Sequence, residues 1–85
     1  MRAEGDWTQA SAPAVLAEAE RYIAAGTLDL SGVQRVDSAA VALLLELTRR
    51  ARLTGRALRF TGMPRNLVTL VTFFGVDDIL IEPAS

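Results

Sequence analysis

Val15, Leu16, Ala19, Tyr22 and Ile23 recur at three- and four-residue steps, which puts them on one face of a helix. Ser11 stands where an N-cap would and Pro13 lies in the first turn, where a missing N–H costs nothing. Gly26 is a C-terminal stop. The period then changes. Thr27-Leu28-Asp29-Leu30 alternates and predicts a short strand, broken by Ser31-Gly32. After the link Val33-Gln34-Arg35-Val36, Asp37-Ser38 opens the longest predicted helix, ending near Thr54 with Gly55 as its stop. Residues 57–61 alternate again as a strand, and Gly62-Met63-Pro64 turns into a third helix. That helix carries Leu67, Leu70, Val71 and Phe74 on its inward face, leaves Phe73 half-exposed or against the C-terminal segment, and ends at Gly75. Val76 and Ile79-Leu80-Ile81 close the pattern as a short strand or an apolar clasp. The first residues offer a strand at 2–4 or at 7–9 but no hairpin, and Trp7 reads as an anchor for this segment.

Helices alternating with strands predict an α/β fold: a small, mostly parallel sheet of three to four short strands with about three helices packed on it. The strands at 27–30 and 57–61, joined by a helix, are expected to run parallel with a right-handed crossover. A chain of 85 residues is read as one domain, 1–85. At that size folding hides roughly 60–65% of the surface of the open chain, enough for a small core.

Composition narrows the chemistry. The chain is 51% hydrophobic and 22% charged, a globular balance. It has no Cys and no His, and all nine basic residues are Arg. Disulfides, zinc sites, thiol nucleophiles and His-based proton transfer are excluded, as are a Lys Schiff base and a phosphate-loop lysine. The expectation is therefore no enzyme, no catalytic residue, no cofactor and no metal. Asp77-Asp78 reads as a turn, because two adjacent carboxylates make at most a sparse cation site. Acids in the first residues speak against a signal peptide. The longest aliphatic run, from Ala39 to Leu45, is far short of the ~20 residues that span a bilayer. A cytoplasmic protein without direct membrane insertion is expected, reaching a membrane only through a partner.

The net charge of −1 hides a pattern. Residues 1–37 have a balance of −3, residues 38–76 one of +5, and residues 77–85, with Asp77, Asp78 and Glu82, again −3. The basic middle holds Arg49, Arg50, Arg52, Arg56, Arg59 and Arg65. Only Phe60 lies among them, and its place in an alternating strand predicts burial, so no nucleic-acid partner is expected. Arg49, Arg50 and Arg52 suit the negative end of their helix, while Arg56, Arg59 and Arg65 read as solvated. An acidic protein partner and plain solvation both remain open for the cluster.

At about 100° per residue, Ala40, Leu43, Leu44, Leu47 and Ala51 share the face of the long helix that covers the sheet. Ser38, Ala42, Leu45, Arg49 and Arg52 form a stripe on nearly the opposite side. A large leucine in the middle of a wet face is either an ordinary exposed residue or the centre of a docking surface whose arginines pair with carboxylates at the rim. Ser38 has three readings: helix N-cap, a role Asp37 could fill equally; partner contact; and phosphate acceptor at a helix N-terminus.

The segment Leu28-Asp29-Leu30-Ser31-Gly32-Val33-Gln34-Arg35-Val36-Asp37-Ser38-Ala39-Ala40 resembles the signature of STAS domains, the sulfate-transporter and anti-sigma-factor-antagonist family. The resemblance continues through Leu43-Leu44-Leu45, Arg50-Ala51, Gly55, Leu58-Arg59-Phe60 and Gly62 to Gly75-Val76, about residues 26–81. Anti-sigma factor antagonists usually place Gly soon after the D-S pair and are phosphorylated on that Ser; here Ala39-Ala40 follows, with no Gly before Gly55. The stretch from Arg35 to Leu45, with Arg49-Arg50-Ala51 and Leu58-Arg59-Phe60-Thr61-Gly62, looks more like the STAS subunit of Mla-type phospholipid ABC transporters. That resemblance implies a partner, the ATPase subunit, within a complex that contains a permease. Two departures stand out. The N-terminus is short, so the family's opening strand pair is reduced or missing, and strand exchange with a second copy in a homodimer stays open. Ser38 stands where Mla subunits often carry Thr.

Overall fold

The computed structural model describes residues 1–81, and the acidic Glu82 counted above lies outside them. Three strands, β1 (Arg2–Trp7), β2 (Thr27–Val36) and β3 (Arg59–Thr61), form one sheet in the order β1-β2-β3, with both pairs parallel. Helices α1 (Ala12–Ala17) and α2 (Ala19–Ala25) link β1 to β2, and α3 (Ser38–Leu53) links β2 to β3. Two more, α4 (Arg65–Phe73) and α5 (Asp77–Leu80), follow the last strand. The α/β class and the parallel sheet agree with the sequence pattern.

The N-terminal segment is one six-residue strand rather than either of the two shorter ones. It turns Ala3 and Trp7 inward, and Trp7, only 1% exposed, packs its ring 6.4 Å from that of Tyr22. Ser11 holds the N-cap position of α1, its carbonyl accepting the Val15 N–H at 3.0 Å, but its side chain makes no capping bond. Its hydroxyl faces backward, donating to the Asp6 carbonyl at 2.7 Å and accepting from the Thr8 N–H at 2.8 Å, and so closes the β1–α1 turn. The single helix expected from residue 12 to 25 is split at Glu18, whose N–H bonds the Val15 carbonyl in a tight turn. Val15, Ala19 and Ile23 still reach the core from both halves.

Ser31-Gly32 is not a break. Arg2 faces Asp29 and Glu4 faces Gly32, so β2 spends one residue more than β1 there, and it does so again before Trp7 meets Val36. Each extra residue is a bulge that shifts the phase of the strand. Leu28 and Leu30 are buried, and after the shift Val33 takes the next inward place. The alternation in the sequence changes parity and continues. A glycine is required at the first bulge, because a Cβ on Gly32 would lie 2.6 Å from the Ala3 carbonyl oxygen.

The core lies between the sheet and the helices. It joins Leu28 and Leu30 to Ala40, Leu43, Leu44 and Leu47 of α3 and to Leu67 and Val71 of α4. Each fully buried leucine contributes roughly 1.5–3 kcal/mol. On the strands, Arg2, Glu4, Ser31, Arg59 and Thr61 stay exposed, and Phe60 is half-buried against the core. The C-terminal segment is no strand but the short helix α5, which clasps the core with the buried Leu80. Asp77 and Asp78, expected in a turn, occupy its first turn, where carboxylates suit the positive helix end.

Candidate functional site

Asp37 sets the start of α3. Its backbone is extended, at φ −135°, and its Oδ1 accepts the Ala39 N–H at 2.8 Å. Its Oδ2 accepts the Gln9 N–H at 3.2 Å, which ties the turn after β1 to the head of the helix. The N-cap is thus Asp37 and not Ser38, which is the first helical residue. The Ser38 side chain is exposed, and its hydroxyl has no hydrogen-bond partner among the described residues.

The rest of the stripe follows from helical spacing. Ala40, Leu43, Leu44, Leu47 and Ala51 are buried on the sheet side, while Ala42, Arg49 and Arg52 are exposed. Leu45 is half-buried, with part of its side chain packed on the core. The two stripe arginines differ in their engagement. Arg49 grips Glu46 with two hydrogen bonds of 2.8 and 2.7 Å, and Arg50 adds a third at 2.7 Å. Hydrogen bonds from Arg49 first, then from Arg50, push the Glu46 carboxyl down to about 2. Arg52 makes no ion pair among the described residues.

A groove of about 320 Å³ opens beside the stripe, lined by Ser38, Val41, Ala42, Leu45, Phe74 and Val76. Ser38 supplies its single polar side chain. The turn after α4 makes the far wall. The Val76 N–H bonds the Val71 carbonyl at 3.2 Å and the Gly75 N–H bonds Thr72 at 3.0 Å, a Schellman ending with Gly75 at φ +72°. This motif folds Val76 back against the core and leaves Phe74 on the surface.

Phe74 was expected inward beside Leu67 and Val71. Those two are buried, but Phe74 is 49% exposed, because Val76 occupies the space below the end of the helix. Phe73 is 81% exposed, and the two rings meet edge to face with centroids 5.4 Å apart. Val41, Phe74 and Val76 are therefore groove residues that the helical stripe alone did not contain. Gly75-Val76 was the available signal, since Gly followed by an apolar residue marks a Schellman turn that returns the chain.

Comparison with known proteins places these features in a family. The family model described as "Mlab, STAS domain" matches residues 1–82. The intermembrane phospholipid transport system binding protein MlaB of Haemophilus influenzae is 33% identical to this chain over 64 residues, a match covering 67% of the chain. The same match spans 61% of that relative, about three fifths of its length. Among solved structures, the anti-sigma factor antagonist SpoIIAA in its unphosphorylated form aligns with a TM-score of 0.64 at 15% identity, covering 99% of this chain and 77% of that one, a likeness of fold. No helix among the described residues is long and apolar enough to cross a membrane. With its family match over nearly the whole chain and its parallel sheet flanked by helices, the chain belongs to the Mlab STAS domain family.

Proposed function

We propose that this chain is a non-enzymatic accessory subunit of a phospholipid ABC transporter of the Mla type. It is held on the cytoplasmic side of the inner membrane by the transporter's ATPase subunit, with the permease completing the complex. The likeness to a phospholipid transport protein supplies the system. The observation that carries the reading is the apolar groove beside Ser38, running along Leu45 to Phe74. Ser38, Ala42 and Leu45 enter the contact, and Arg52 meets an acid at its edge. Arg49 stays with Glu46 and contributes through the rigidity of the helix.

The test is capture of the co-expressed ATPase subunit by Leu45→Glu, with a thermal melt of the free variant alongside. Burying an unpaired carboxylate in an apolar contact costs several kcal/mol, enough to lose a micromolar complex. A folded Leu45→Glu protein that still captures the ATPase rejects the docking face.

A second reading, an anti-sigma factor antagonist switched by phosphorylation of Ser38, draws on the SpoIIAA-like fold and the unpartnered hydroxyl at the head of α3. Against it stands the sequence after the Asp37-Ser38 pair, where Ala39-Ala40 replaces the Gly usual in antagonists. Loss of ATPase capture on Leu45→Glu, together with no phosphate uptake at Ser38 in cells, decides for the transporter.

A further inference from the structure

We infer that the Phe73–Phe74 pair anchors this docking face, and that it receives a segment of the ATPase subunit with a large apolar side chain for the groove and a carboxylate directed at Arg52. The inference rests on the docking reading above and adds to it the anchor and the chemistry of the partner.

Phe73 is the most exposed of the large apolar side chains, at 81%, and it touches Phe74 at the rim of the groove. Two aromatic rings already set edge to face lose little freedom when covered, and buried aromatics are the residues that most often dominate a contact. Charge fixes the other half of the match. From Leu45 to Arg52 is seven residues of helix, about 10 Å along its axis. Arg52 is unpaired among the described residues at that end, whereas Arg49 is already satisfied by Glu46. At the opposite wall, Val76 leads directly into the exposed Asp77 and Asp78. The face is thus apolar in the middle, with Asp77 and Asp78 after the Val76 wall and Arg52 farther along α3, where Ile79 and Leu80 of α5 lie beside it. A complementary segment is apolar at its centre and carries its acid about 10 Å away on the Arg52 side.

The experiment is capture of the co-expressed ATPase subunit by Phe73→Ser, Phe74→Ser, Arg52→Glu, Arg49→Gln and Leu45→Glu. A thermal melt and light scattering accompany each free variant. Phe73→Ser, at a site so exposed, is expected to melt with the parent and to lower capture at least tenfold. Arg52→Glu is expected to lower capture strongly, and Arg49→Gln only slightly. If both Phe variants capture as the parent does while Leu45→Glu has lost the ATPase, the anchor assignment falls and the docking reading stands. If Leu45→Glu also captures in full, both fall. If Arg52→Glu loses no more than Arg49→Gln, the partner's carboxylate is overturned. Should Phe74→Ser melt early, Phe73→Ser alone decides. A parent that scatters as a dimer, with Phe73→Ser monomeric, gives the face to a second copy and overturns the inference.

Discussion

Gln9 and Asp37 lie 28 residues apart in sequence and meet where the Gln9 N–H reaches Asp37 Oδ2 at 3.2 Å. The other carboxylate oxygen caps α3 through Ala39. One side chain therefore fixes both the start of α3 and its position against the turn after β1.

Asp37→Ala should cost about 1–2 kcal/mol of unfolding free energy, since it removes a cap and leaves two backbone N–H groups without their acceptor. Asp37→Asn keeps one oxygen for the cap but turns its NH2 towards the Gln9 N–H, and should fall between the parent and Asp37→Ala, at about 0.5–1 kcal/mol. Urea titration of the three proteins measures both, and equal stability of Ala and parent would remove Asp37 from its structural role.

Gly32→Ala should destabilise by roughly 1–3 kcal/mol, the range for forcing atoms into a filled site. The added methyl would press on the Ala3 carbonyl, part of a strand backbone held in register by β2. Ala42→Ser, which also adds one heavy atom but at an exposed site, is expected to stay within about 0.5 kcal/mol and serves as the control.

Glu46 makes stability depend on pH in a defined direction. Its folded value, about 2, lies below the ordinary glutamate value of about 4.3. The contribution is therefore present above about pH 4.3 and is lost as the pH falls towards 2. Melting curves of the parent and Glu46→Gln should differ slightly at neutral pH, with the parent higher, and converge near pH 2. The gap is small because the ion pairs face water. A gap that widens in acid contradicts this assignment.

Ser38 variants separate size from charge at the head of the groove. Ser38→Thr adds one methyl and keeps the hydroxyl, so ATPase capture should change little. Ser38→Asp brings a charge that must be desolvated on docking and should weaken capture at least tenfold. Equal capture by the two would place Ser38 outside the contact.

Much of this architecture was legible because period is local. The parallel sheet, the helices α3 and α4 and the inward face of α3 follow from spacing, and the residues from Leu28 to Ala40 carry the resemblance to STAS domains. What spacing did not reveal depends on tertiary contact. The bulge at Gly32 mimics a strand end, because a change of parity and an interruption look alike in sequence. Ser11 offers a hydroxyl suited to a cap, yet its hydroxyl serves the turn behind it. Phe74 has the right spacing for the core and loses its place to Val76, which the turn at Gly75 carries back. Of the candidate site, the stripe was visible as a line on one helix. The groove needed a second wall from another part of the chain.

That second wall hangs on little. Among the described residues, the chain from Gly62 onward is tied to the sheet through β3, which matches β2 at three positions, and through Asn66, whose Nδ2 donates to the Gln34 carbonyl at 3.1 Å; it is tied to the core chiefly by Leu67, Val71 and Leu80. Amides in α4 and α5 should therefore exchange with deuterium before those of β1, β2 and α3, by openings smaller than full unfolding. The groove spans this seam, with Leu45 on the slow side and Phe74 on the fast side. A partner seated across it draws its binding energy partly into closing those openings. Slower exchange at Leu67 and Val71, buried residues no partner reaches, would then report occupancy of the groove.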